Sequence, residues 1–257
     1  MDLEPGRLRE KITGAWGASL TVKESTASTM DDAIAAAAEG APDGHVVLAD
    51  TQTEGRGAHG RSWVSPPGSD LYFSIVARPR IEPASVALVT LATGLGVADV
   101  VAASLPRHTV QLKWPNDVWV ERRKCAGVLV ESRTLGTEID SLIIGIGLNV
   151  NRTEWPAELG ETATSLRAEA RAEPFDRAEV FAAVVSRAEQ WVKRLVESGP
   201  PVIVNALQPR LALVGERARW EGGEGVFEGV GPDGAARVRT SSGVQSLHAA
   251  RIEPLER

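Results

Sequence analysis

Cysteine is nearly absent from the 257 residues: Cys125 stands alone, so no intramolecular disulfide can form and a reducing, cytoplasmic setting is expected. An excess of positive charge is missing too. The 28 Lys and Arg face 34 Asp and Glu, a net charge of −6 that argues against broad binding to a phosphate backbone. The four histidines, His45, His59, His108 and His248, lack metal-ligand spacing. Neither a G-x-x-x-x-G-K-[ST] loop nor a G-x-S-x-G elbow occurs. The start, Met1-Asp2-Leu3-Glu4, has no apolar run of the kind a secretory signal needs. One long apolar stretch, Ala84 to Leu105, carries a single charge at Asp99. Its Ser85, Thr90, Thr93, Gly94, Gly96 and Ser104 suit a close-packed internal helix better than a membrane span.

What is present is an ordinary globular balance, 43% apolar and 24% charged, with helix and strand patterns interleaved. Thr29-Met30-Asp31-Asp32 opens a helix that runs through Ala38 to Gly40, with Thr29 as cap and Asp32 at the capping-box position. His45–Ala49, Leu71–Val76, Val110–Trp114, Cys125–Glu131 and Ser141–Val150 read as strands. Asp176 caps a helix whose stripe is Val180, Val184, Ala188, Trp191 and Leu195, and Gly199-Pro200-Pro201 stops it. Beyond a boundary near Leu211, short strands at Glu216–Trp220, Gly225–Val230, Ala236–Thr240 and Val244–His248 alternate with turn sequences. That rhythm predicts a small β-barrel.

Four segments carry candidate chemistry. Gly55-Arg56-Gly57-Ala58-His59-Gly60-Arg61 fits G-x-G-x-x-G, but the following Ser62-Trp63-Val64-Ser65-Pro66-Pro67-Gly68 cannot open the helix that a dinucleotide site requires. The segment is either a glycine-rich loop that wraps an anionic ligand with guanidinium groups or a solvated surface loop. Lys113-Trp114-Pro115-Asn116-Asp117 gathers a cation, an amide and a carboxylate, or is a plain Pro-Asn-Asp turn. Lys124 leads the apolar strand to Glu131, and alternation puts it on the face of Ala126, Val128 and Val130. It either meets an anion there or lies at the strand edge in solvent. Cys125 takes the opposite face as a buried thiol. Gly145-Ile146-Gly147-Leu148-Asn149-Val150-Asn151 ends a strand on Asn-x-Asn, which can face a purine edge or cap a turn. Cations dominate these segments and no nucleophile stands out. This fits activation of a carboxylate on a nucleotide α-phosphate, where a protein supplies position and charge neutralisation.

Taken in order and spacing, these four segments and Ser28-Thr29-Met30-Asp31 resemble the biotin protein ligases, strongly from Ser25 to Asn151 and more weakly beyond. The resemblance implies an α+β fold, a mixed, largely antiparallel sheet with helices packed on it, in a catalytic domain of residues 1–210. A small SH3-like β-barrel of residues 211–257 would follow. It implies that biotin and MgATP give biotinyl-5′-AMP, and that biotin then passes to a lysine of a biotin carboxyl carrier domain. No tightly bound cofactor and no protein-held metal are expected. Biotin contacts are expected from Ser28, Thr29, Met30, Gln52, Gly55, Arg56, Gly57, Lys124, Gly127 and Leu129. Nucleotide contacts are expected from Arg56, Arg61, Trp63, Lys113, Asn116 and Asn149. Lys124, Arg56 and Asp117 would be catalytic, with Asp117 orienting or deprotonating the attacking amine.

The chain departs from the family pattern twice. Some members carry an N-terminal DNA-binding module. Here residues 1–27 set Arg7, Arg9, Lys11 and Lys23 against Asp2, Glu4, Glu10 and Glu24, so a monofunctional enzyme without DNA or membrane binding is expected, as monomer or homodimer. Ala58 stands where the family usually has an arginine on the adenylate. The rival readings are a lipoate or octanoyl ligase, or a non-catalytic binder of biotin.

Overall fold

The computed structural model describes residues 2–135 and 138–255. Seven strands, β1 (Leu20–Thr26), β2 (His45–Gln52), β3 (Leu71–Ala77), β4 (Val110–Lys113), β5 (Asp117–Val120), β6 (Arg123–Leu135) and β7 (Glu138–Leu148), build one sheet. Their order is β1-β2-β3-β7-β6-β5-β4. Only β1 and β2 pair in parallel; the other ladders are antiparallel. The sheet is mixed and largely antiparallel, as expected.

Both faces of the central strands are covered, which is why β3 is buried at every residue. On one face lie α1 (Pro5–Lys11), α3 (Val86–Ser104), α4 (Leu166–Ala170), α5 (Arg177–Ser198) and α6 (Pro200–Leu207); α2 (Thr29–Ala38) packs on the other. Residues Pro83–Ser104 include an 18-residue window with a mean hydropathy of 2.0, long and apolar enough to cross a membrane, yet two-thirds of that window is buried, with α3 packed between the sheet and α5. Its small residues have a packing cause. A Cβ on Gly96 would lie 2.8 Å from the backbone of Arg187 and Ala188, so only glycine lets α3 and α5 approach this closely. Phe181 of α5 meets Phe73 of β3 edge-on, with ring centroids 5.0 Å apart.

Two local expectations are corrected. Thr29 does not cap α2. Ser28 holds the cap position without a side-chain bond, and Asp32 turns to Thr26 Oγ1 (2.7 Å) and Lys23 Nζ (2.7 Å). Gly199-Pro200-Pro201 ends α5 but also starts α6, because proline suits the first turn, where its missing N–H costs nothing. Asp176 does cap α5, accepting from the amides of Ala178 and Glu179.

The C-terminal strands β8 (Arg217–Trp220), β9 (Gly223–Val230), β10 (Ala236–Thr240), β11 (Gly243–Leu247) and β12 (Glu253–Pro254) form a second sheet in the order β11-β10-β9-β8-β12. The turns fall where the sequence puts them. The ladder is nonetheless open, since no pairing between β11 and β12 closes it among the described residues. This unit is fastened to the β4–β5–β6 end of the large sheet. Arg122 makes a bidentate ion pair with Glu216 (2.7 and 3.0 Å), the Trp114 indole donates to Gly234 O (2.9 Å), and Ala212 N donates to Leu112 O (2.9 Å).

Candidate active site

The face of the sheet shared with α2 is only half covered by that helix. The uncovered part is a pocket open to solvent. Its lining brings together Thr29 and Met30 of α2, Gln52 at the end of β2, Arg56, Gly57, Ala58 and Trp63 from the next loop, Asn116, and Lys124, Gly127 and Leu129 of β6.

The floor is made by glycines. Gly127 and Gly147 are register partners across β6 and β7, and the Trp63 indole lies on them. A Cβ on Gly147 would stand 2.4 Å from Trp63 Cε2, and one on Gly127 would stand 3.0 Å from Trp63 Cζ3. Glycine inside a strand is what such a close approach demands. From the sequence Gly127 is expected at the biotin site, whereas Gly145 and Gly147 stand in a candidate segment with no role of their own. Glycine at alternate positions of an apolar strand was the signal for a bulky group on that face.

Lys124 reaches this face through a β-bulge. Asp117 pairs with Gly127 and Val118 with Ala126, but Trp119 pairs with Lys124, so one extra residue enters β6. Strict alternation put Lys124 on the side of Ala126 and Val128, which belong to the helix-covered core. The bulge turns it to the side of Gly127 and Leu129 instead. There its Nζ lies 2.5 Å from Asp117 Oδ1 and 5.0 Å from the Trp63 ring centroid. Cys125 is fully buried, with burial pushing its thiol well above the usual range.

Loop 55–63 folds as a closed hairpin rather than a helix start. Gly57 N donates to Arg61 O (2.7 Å) and Trp63 N donates to Gly55 O (2.7 Å). Arg56 spans the mouth, 2.9 Å from Asp31 and 3.5 Å from Glu131, two carboxylates that the sequence reading did not single out. On the far wall Thr29 donates its amide to Gln52 Oε1 (2.9 Å), and Gln52 Nε2 donates to Ser65 Oγ (3.0 Å). Ser28 Oγ and Trp63 Nε1 are buried with no hydrogen-bond partner among the described residues.

Other expected residues are committed elsewhere. Asn116 lines the pocket, but its amide donates to Val128 O (2.9 Å) and holds the turn against β6. Asn149 is buried outside the lining, donating to Thr164 O (2.9 Å) and Lys124 O (3.4 Å). Arg61 is exposed and turned back on Ala58 O (3.3 Å). Lys113 is buried and points away from the pocket, onto Glu253 of the C-terminal unit at 2.6 Å. Burial lowers the Lys113 pKa despite the carboxylates of Glu253 and Asp117 beside it.

Residues 22–149, from β1 to the end of β7, match the biotin/lipoate A/B protein ligase family. Over 97% of its length the chain is 30% identical to the bifunctional ligase/repressor BirA of Bacillus spizizenii, covering 80% of that protein. The chain belongs to the biotin/lipoate A/B protein ligase family. Within the family it is also 34% identical to the biotin–[acetyl-CoA-carboxylase] ligase of Mycobacterium tuberculosis, across 87% of this chain and 84% of that protein. The biotin protein ligase from Aquifex aeolicus, solved in complex with biotin and ATP, superposes with a TM-score of 0.81. The two are 29% identical, over 92% of this chain and 99% of that one. In this family member the segments read from sequence meet at one pocket, although Ser28, Gly55, Arg61, Lys113, Asp117 and Asn149 lie outside its lining.

Proposed function

We propose that the chain is an ATP-dependent biotin protein ligase that acts on the biotin carrier of a carboxylase such as acetyl-CoA carboxylase. The observation that carries this is Lys124, paired with Asp117 and set over Trp63 at the edge of a pocket floored by glycines. Likeness over nearly the whole chain to ligases of that activity supports it. In the first step a carboxylate oxygen of biotin attacks the α-phosphorus of MgATP, and the bond to pyrophosphate breaks. Negative charge collects between carboxylate and phosphate, where the Lys124 ammonium and the Arg56 guanidinium would neutralise it. In the second step an acceptor lysine amine attacks the acyl carbon, loses a proton towards Asp117, and AMP leaves.

Biotin would lie against Thr29, Met30, Gln52, Gly127 and Leu129, with the orphaned Ser28 Oγ as a further donor. Gly55, Gly57 and Trp63 would close over the adenylate, with Asn116 and Arg61 on the phosphate side. Asn149 would brace the start of β6. We take residues 1–210 as the catalytic domain and 211–257 as an SH3-like domain, supported by five short antiparallel strands in that unit. A cytoplasmic monomer or homodimer without a DNA role belongs to the same reading. Biotin-dependent release of pyrophosphate from ATP, with lipoate and octanoate as controls, tests the assignment. Biotin binding without release would leave a binding protein, and a preference for lipoate would move the chain to the other branch of its family.

Two substitutions probe the pocket directly. Gly147→Ala puts a methyl where the Trp63 indole rests, and biotin affinity is expected to fall tenfold or more by isothermal titration. Unchanged affinity would mean that the indole has room to yield. Ala58→Arg returns a cation to the pocket wall, where Ala58 is a lining residue. A hydrogen bond to a charged group is worth ~1.5–3 kcal/mol. Biotinyl-5′-AMP is therefore expected to leave the variant about 10- to 100-fold more slowly than the native protein, at ~1.4 kcal/mol per decade. Equal release rates in rapid mixing would show that a neighbouring group already fills the role.

A further inference from the structure

Resting on that reading, we infer that Glu253 of the C-terminal unit is a positioning residue for the transfer step, holding the Lys113 ammonium off the Asp117 carboxylate. Lys113 and Asp117 are direct cross-strand partners at the ends of β4 and β5. Both are buried, 6% exposed each. A buried ammonium needs a carboxylate, and among the described residues those within its reach are Glu253, 2.6 Å away, and Asp117. Arg251, two residues before it in the chain, pairs with the same Glu253 carboxylate, and the Trp119 ring lies 5.4 Å from Lys113 Nζ. Asp117 meanwhile holds Lys124, 2.5 Å away, inside the pocket. Without the Glu253 charge, Lys113 would turn to Asp117 and compete with Lys124 for it. That would weaken the base and loosen the cation on which both steps depend.

The test is a double-mutant cycle read on two half-reactions: biotin-dependent pyrophosphate release, and discharge of preformed biotinyl-5′-AMP to a carrier domain. Glu253→Gln keeps the size and an accepting oxygen while removing the charge. It is expected to slow discharge about tenfold, with the KM for biotin within twofold of the native value. Lys113→Met added to Glu253→Gln is expected to raise discharge at least threefold above the single variant, because the stray cation is gone. A clasp that merely holds the two units together would lose further from the second change. That result, or an unaffected Glu253→Gln, overturns the inference. Should Glu253→Gln fail to fold, Lys113→Met alone is compared with the double variant. Equal discharge supports the inference, since Glu253 then has no cation to hold, and a further drop overturns it. Native protein run in parallel separates the two ideas, for its inactivity with biotin would remove the functional reading itself.

Discussion

Lys124→Gln is expected to slow biotin-dependent pyrophosphate release by about 10²- to 10³-fold, the usual loss when a group that meets developing charge is removed. Glutamine is the substitution of choice because of what Lys124 does in the resting protein. Its ammonium is the ion-pair partner of Asp117, a carboxylate only 6% exposed. Alanine would leave that carboxylate buried and alone, a loss of order ~3–5 kcal/mol that would mix folding with catalysis. Glutamine keeps a donor against Asp117 and removes the charge alone. Pyrophosphate release is the measurement, with thermal unfolding as control. A well-folded variant releasing pyrophosphate at the native rate would take Lys124 out of the mechanism.

Asp117→Asn is expected to separate the two half-reactions. Adenylation needs no base, because a biotin carboxylate is already ionised at neutral pH. Transfer needs one, because an acceptor lysine amine is almost fully protonated there. General-base catalysis contributes about 10²- to 10⁴-fold, so transfer is expected to lose at least 100-fold. Adenylation should fall tenfold or less, through the weakened hold on Lys124. Discharge of isolated biotinyl-5′-AMP to a carrier domain, set beside pyrophosphate release, measures the split. Equal losses in both would make Asp117 a structural partner of Lys124 and no more.

The sequence made most of the fold legible where one element answers to its own periodicity. The stripe from Val180 to Leu195 could belong only to an amphipathic helix, and it does. The apolar runs at 45–49, 71–76, 125–131 and 141–150 are all strands of the large sheet. The edge strand β1 went unread because its residues alternate poorly, being half solvated along the rim. β5 went unread as well: it begins at Asp117, the last residue of the Lys113–Asp117 segment, and is only four residues long. The long small-residue helix was legible as a core helix from its hydroxyls and glycines, and packing against α5 accounts for them.

By itself, then, the sequence determined the order of most elements and the four segments that meet at the pocket, and through its family resemblance the α+β class, because motif spacing and hydrophobic period are local properties of the chain. The face that Lys124 occupies was decided only in the folded sheet, by a bulge opposite Trp119 that strict alternation cannot foresee. The same holds for Lys113. Its place in the sequence beside Asp117 suggested a hand on the phosphates, whereas Glu253, 140 residues further along, claims its charge. Asn149 went the same way, drawn to the carbonyls of Thr164 and Lys124. A buried polar side chain takes whichever partner the packed chain brings within ~3 Å, and that choice is made by contacts far apart in sequence.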